Sequence, residues 1–143
     1  MLMLLDINVL IARVDPGHEF HGRCCTWLEG HASAGLATCP FTENGFLRIF
    51  GNPAYPGGPG SPEAARPGLA QVRAMPQHVF LSDDISFADP GVVASLAGAG
   101  HQQLTDLYLL ALAVRHSAVF VTFDRKVNPA LVMGGRGALL VVP

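Results

Sequence analysis

The 143 residues are a one-domain length, half of them hydrophobic and only 14% charged, which supplies a core and excludes long disorder. Nine basic against eleven acidic residues give a formal charge of −2, which excludes a grip on nucleic acid by bulk positive charge but not an enzyme acting on it through a few placed groups. No apolar run reaches transmembrane length, and the odd set Cys24, Cys25 and Cys39 makes no disulfide framework, so a reducing cytoplasm and no membrane are expected.

Met1 to Leu5 is apolar but lacks a basic n-region and a small-residue cleavage site. It predicts a buried strand over 2–5 rather than a signal peptide. Ile7 to Val14 predicts a short helix, closed by the turn Asp15-Pro16-Gly17. His18 to Gly30 carries Phe20, Cys24, Trp27 and Leu28 at helical spacings, with Gly30 as the stop. Leu36 to Cys39 predicts a strand, and Thr42 an N-cap for a helix through Phe50. Residues 51–68 hold five glycines and five prolines and predict a surface loop.

His78 to Leu81 predicts a strand ended by Ser82-Asp83-Asp84. Asp89-Pro90 opens a helix to about Ala97, stopped by Gly98 and Gly100. Thr105 caps a helix from Asp106 to His116 whose interior is apolar nearly all round, as in a buried helix. Ala118 to Val121 predicts a central strand ended by Thr122-Phe123-Asp124, and Gly137 to Val142 a last strand. Strands alternating with helices predict an α/β class, one domain over 1–143, with a mainly parallel central sheet flanked by helices.

In such sheets functional groups gather at the carboxyl ends of the strands. Asp6 follows the first strand and Asp124 the strand 118–121. Glu43 and Asp106 sit in the first turns of predicted helices. Each alone serves equally well as a cap, a dipole partner or a solvated acid. Together, four carboxylates in apolar surroundings with no basic residue among them would repel one another unless a hard cation such as Mg²⁺ or Mn²⁺ joined them.

At these residues the sequence resembles the PIN domain, and within it the VapC-type toxins of bacterial toxin–antitoxin pairs. Leu4-Leu5-Asp6-Ile7-Asn8-Val9-Leu10 is similar to the family's opening strand motif. Thr42-Glu43-Asn44-Gly45-Phe46-Leu47-Arg48 is similar to its second acidic motif. Leu104-Thr105-Asp106-Leu107-Tyr108-Leu109-Leu110-Ala111 is similar to the third, and Val121-Thr122-Phe123-Asp124-Arg125 to the fourth. The four occur in order across nearly the whole chain.

The resemblance implies a PIN-like parallel-sheet fold, a Mg²⁺-dependent endoribonuclease (Mn²⁺ also serving) and a dedicated antitoxin. It places Asp6, Glu43, Asp106 and Asp124 in the acidic site, with Asn8 and Thr122 as small polar supports. The expected chemistry is cleavage of RNA by metal-activated water at this four-carboxylate site, with Asp6 and Asp106 as direct ligands. Asp124 would complete a second metal position or act through water, and Glu43 would orient water or ligate. An antitoxin segment would cross the cleft with an arginine meeting the carboxylates.

Arg48 and Arg125 are candidate RNA contacts, together with Lys126, and Arg13 and Arg23 are candidates for the same rim. The apolar composition suits a homodimer. Two other functions compete: a non-catalytic binding module of the same shape, and a DNA-acting structure-specific nuclease, for which the chain lacks an added helical clamp. His18, His21 and Cys24 recur every third residue but lack the companions of a zinc site, so surface histidines and a buried cysteine are expected. Asp83-Asp84 is expected to be a solvated turn and helix cap. His31, His101 and His116 show no partner in sequence.

Overall fold

Short apolar runs rich in Leu, Val and Phe form strands because both faces of the sheet they build are covered. The computed structural model describes all 143 residues. The strands are β1 (Leu2–Leu5), β2 (Gly35–Thr38), β3 (His78–Phe80), β4 (Val119–Thr122) and β5 (Leu139–Val141). They form one parallel sheet in the order β3-β2-β1-β4-β5. The helices are α1 (Ile7–Val14), α2 (His21–Glu29), α3 (Pro40–Phe50), α4 (Pro62–Arg73) and α5 (Leu104–Arg115).

Period-two alternation divides the core. Met3, Leu5, Leu36 and Val121 face one layer, built with Val9 and Leu10 of α1, Cys24 of α2, Phe46 of α3 and Val72 of α4. Leu4, Ala37 and Phe120 face the other, where α5 packs through Leu107 and Leu109 to Ala113. The α5 interior is buried on nearly all sides, as its apolar circumference predicts. The chain runs outward from β1 to β2 and β3, then returns to place β4 on the other side of β1. The direction of winding therefore reverses between β1 and β4, and the crevice at their carboxyl ends is a topological switch point.

Two expectations fail. The predicted loop 51–68 holds only to Ser61, because α4 starts at Pro62. Proline suits a first helical position, and the Ser61 hydroxyl accepts from Ala64 N at 3.1 Å. Pro67 is tolerated inside the helix because packing of Ala65 and Val72 outweighs one lost backbone bond. Gly68 is needed there, since a Cβ would stand 2.7 Å from Val14 Cγ1. The expected helix from Asp89 to Ala97 is a series of turns. Asp89 Oδ1 instead accepts from Gly91 N at 2.8 Å, and Gly98 takes φ +85°.

Smaller shifts concern ends. Pro40 begins α3 with Cys39 as N-cap, so Thr42 lies one turn in and its Oγ1 accepts from Cys39 N at 3.0 Å. Helix α5 begins at Leu104, so Thr105 lies inside it. Helix α2 begins at His21 rather than His18.

Candidate active site

Asp6 ends β1 and is the N-cap of α1. Its backbone N–H donates to Val121 O at 2.9 Å, which ties it to β4. Its carboxylate accepts twice: Oδ1 from Ile7 N at 2.7 Å, and Oδ2 from the Thr122 hydroxyl at 2.6 Å. The fully buried Thr122 also accepts from Asp124 N at 3.1 Å, so one hydroxyl positions both acids. Asp124 Oδ1 accepts from Lys126 N at 2.8 Å, which closes the turn after β4. Asp106 comes in from the first turn of α5 on the face that Leu4 and Phe120 share.

These three carboxylates are brought together. Burial first, then the charges of Asp6 and Asp124 and a hydrogen bond to Asp124, together raise the Asp106 pKa from 3.8 to about 7. Asp6, only 6% exposed, is also raised by burial, against the pull of the Thr122 and Ile7 hydrogen bonds, with the Asp124 charge adding to the rise. None of the ion pairs in the molecule involves any of the three. A cleft of about 230 Å³ opens on Asp106 and Asp124, lined also by Gln102, Gln103, Lys126 and Asn128.

This donor set fits a hard divalent cation: it is all oxygen, mutually repelling and without a basic counterion. Asn8 adds a buried Oδ1 with no hydrogen-bond partner, in the first turn of α1. No three His, Cys, Asp or Glu side chains close on a single point, so the fit rests on donor chemistry and charge rather than on a formed coordination shell.

Glu43 stands apart from this trio and is not among the charges that raise Asp6 or Asp106. Its Oε2 accepts from the Thr38 hydroxyl at 2.6 Å and from Arg73 Nη1 at 2.6 Å. Thr38 also meets His78 Nε2 at 2.7 Å. Burial and the Arg73 charge lower the His78 pKa, opposed by Glu43. Thr38, Arg73 and His78 escape sequence reasoning. Thr38 ends β2 as Thr122 ends β4, a signal that could have found it, whereas Arg73 gave none.

Arg48, Arg125 and Lys126 are exposed, and Lys126 lines the acid cleft. Arg23 lies 4.2 Å over the Phe20 ring and 5.2 Å from that of Phe123, next to Asp124 in the chain. Arg13 does not share this rim. It lines a larger cavity of about 410 Å³, with His21, Cys25 and Met75, beside the amino ends of β2 and β3. That cavity contains none of the four acids, so size does not identify the site; the acids do.

The remaining candidates turn to separate partners. His18 Nδ1 accepts from Phe20 N at 3.0 Å, His21 Nδ1 meets Ala12 O at 2.7 Å, and the buried Cys24 donates to Val9 O. Asp83 does cap a helix, accepting from Phe41 N in the first turn of α3. Asp84 holds His116 Nε2 at 3.0 Å, giving that histidine a partner the sequence does not show. His31 Nδ1 meets Trp27 O at 2.8 Å, and its ring stacks on the indole.

No protein-family model matches the chain. Ribonuclease VapC44 of Mycobacterium tuberculosis is 40% identical over 134 residues, covering 94% of each chain. Ribonuclease VapC38 of the same organism is 41% identical over 124 residues, covering 86% of this chain and 85% of its own. Among solved structures, the complex VapBC2 from Rickettsia felis, bound to a DNA fragment from its promoter, contains a chain with a TM-score of 0.62 at 14% identity. That match covers 88% of this chain and 90% of the other, and it speaks for the fold alone. The sheet order, the whole-length likeness and the acids at the strand ends agree, and the chain belongs to the VapC ribonuclease family.

Proposed function

We propose that this ribonuclease is a divalent-metal-dependent endoribonuclease that cuts RNA at the Asp6, Asp106 and Asp124 cleft, as a toxin restrained by a cognate antitoxin. The observation that carries the reading is the convergence of three acids without a basic partner at the β1–β4 switch point, with Asp106 pushed up to about 7. Asp6, Asp106 and Asp124 would hold the ion, with the Asn8 oxygen beside them. Bound Mg²⁺ or Mn²⁺ supplies charge neutralisation at the scissile phosphate and lowers the pKa of water.

The chain's own groups do the rest. Thr122 holds Asp6 and the Asp124 backbone in register, so the acids keep their spacing as charge changes. Asp106, with its raised pKa, exchanges a proton near neutrality unless a cation displaces that proton. Lys126 and the exposed Arg48 and Arg125 contact phosphates, and Glu43 acts by orienting Arg73. The Rickettsia felis neighbour is itself a VapBC complex, and by analogy with it we infer a partner protein for this chain. No helix is long and apolar enough to cross a membrane, and our reading is of a cytoplasmic homodimer.

The test is digestion of single-stranded RNA and DNA side by side with Mg²⁺, with excess EDTA, and with Asp6→Asn. RNA should be cut only by the wild type with metal. Cleavage that persists in EDTA or in the variant refutes the mechanism, and preferential cutting of DNA refutes the substrate. Loss of sedimentation as a dimer on dilution into the micromolar range would refute the assembly.

A further inference from the structure

The acid trio accounts for the β1–β4 end of the strand edge, but at the β3 end the Arg73 that Glu43 orients belongs to an arrangement with Phe80 that the cleavage chemistry leaves unexplained. β3 is an edge strand, and its last residue, Phe80, is 47% exposed. Alternation puts His78 and Phe80 on the same face of the sheet as Leu36 and Thr38, the face that α3 and α4 cover. From the end of α4, Arg73 lays its guanidinium 4.7 Å from the Phe80 ring centre.

That guanidinium is held in place by Glu43. Its Nη1 donates to Glu43 Oε2 at 2.6 Å, and the same oxygen accepts from Thr38 at 2.6 Å. Having donated to Glu43, the Thr38 hydroxyl accepts from His78 Nε2–H at 2.7 Å, which assigns the histidine tautomer. A planar cation on an aromatic ring, anchored through three elements, is a preformed surface for another flat π system.

We propose that Phe80 and Arg73 form a stacking platform for an unpaired base of the single-stranded RNA cut at the acid cleft. The inference deepens the ribonuclease reading and rests on it. Phe80 pairs in register with Thr38, and Leu4 with Ala37, so Phe80 stands level with Leu5, the residue before Asp6. The two are two strand spacings apart, about 10 Å. An RNA strand crossing the carboxyl edge passes the trio, then Glu43 and Arg73, then Phe80. Splayed bases of single strands are taken up by aromatic and guanidinium planes. A protein strand is the poorer occupant, because β3 offers only three residues of backbone.

The experiment compares wild type, Phe80→Ala and Phe80→Trp in the full chain. Binding of labelled oligo(A) and oligo(U) RNA is followed by fluorescence anisotropy in EDTA, and KM and kcat for RNA cleavage are measured separately in Mg²⁺. Phe80→Ala should weaken binding and raise KM about 5- to 100-fold. The loss should be greater for oligo(A), with kcat retained at saturation and Phe80→Trp restoring affinity. Unchanged binding in Phe80→Ala, or no rescue by Trp, overturns the proposal. So does a variant that keeps RNA affinity but loses self-association by sedimentation, since the face would then belong to a protein. The anisotropy arm needs no turnover, so a wild type that binds through Phe80 but cuts nothing would count against the ribonuclease reading and not against the platform.

Discussion

Replacing Thr122 by Val removes one hydroxyl and keeps the shape of a fully buried side chain. The hydroxyl has two jobs: donating to Asp6 Oδ2 at 2.6 Å and accepting from Asp124 N at 3.1 Å. A hydrogen bond to an ionised group is worth about 1.5–3 kcal/mol, and one between neutral groups about 1 kcal/mol. With Asp6 ionised, the loss should therefore be about 2.5–4 kcal/mol, a fall of about 1–2 M in the urea midpoint at a typical slope of about 2 kcal/mol/M. The Asp6 pKa is already raised above 3.8 by burial, and Thr122 is the largest force pulling it back. Deleting that force raises the folded value further. A carboxyl whose folded pKa exceeds its unfolded one keeps its stability below the unfolded value and loses it as pH rises through the folded value. The variant's deficit should therefore be larger at pH 8 than at pH 2.5, where the acid is neutral in both states. Urea unfolding in EDTA at the two pH values measures it. Equal midpoint shifts at both, or none at pH 8, would refute the reasoning that Thr122 acts on the Asp6 charge.

Asp106→Asn should make the metal-free protein more stable at pH 8 by thermal melting, because it removes a buried like charge. Wild-type stability should fall as pH rises from about 4 through about 7, the window between the ordinary and the raised Asp106 values, and the variant should flatten that fall. The same substitution should lower RNA cleavage by at least about 100-fold and abolish the rise in Tm that Mg²⁺ gives the wild type; a variant that still gains Tm from Mg²⁺ would show that Asp106 does not hold the ion. Leu110→Ala, at a fully buried position on α5, should cost about 2–5 kcal/mol by urea titration, and a cost under about 1 kcal/mol would place α5 outside the central core.

The parallel sheet was legible because each strand is a short continuous apolar run. The ends of β1 and β4 were legible because a charged residue follows each closely: Asp6 directly after Leu5, and Asp124 two residues after Thr122. Alternation then brings Asp6 and Thr122 to one face of the sheet without any long-range information. Helix α4 was hidden because glycine and proline signal loops locally, whereas Ala65, Gly68 and Val72 are chosen for contact with Val14, Phe46 and their neighbours. The segment 89–97 failed in the opposite direction, because Asp89 prefers its own Asx turn to a helical cap. The place of Glu43 was illegible because its partner, Arg73, is thirty residues away on that unforeseen helix. Charge counting nonetheless sharpened: with the four motif acids removed from eleven, seven acidic residues face nine basic ones, which suits local contacts to RNA rather than a broad basic face.

The bond from Thr122 to Asp6 spans 116 positions of the chain. Synthesis delivers the amino-terminal half first, and β1, α1 and β2 can begin to associate while β4 is still unmade. Asp6 then has its helix-capping bond but neither Thr122 nor Asp124, and Asp106 has not yet docked. A nascent chain therefore emerges without its acid cluster. The acid cluster comes together only when β4 slots in beside β1. The order of the strands alone thus keeps the three acids apart until β4 has been made and has taken its place in the sheet.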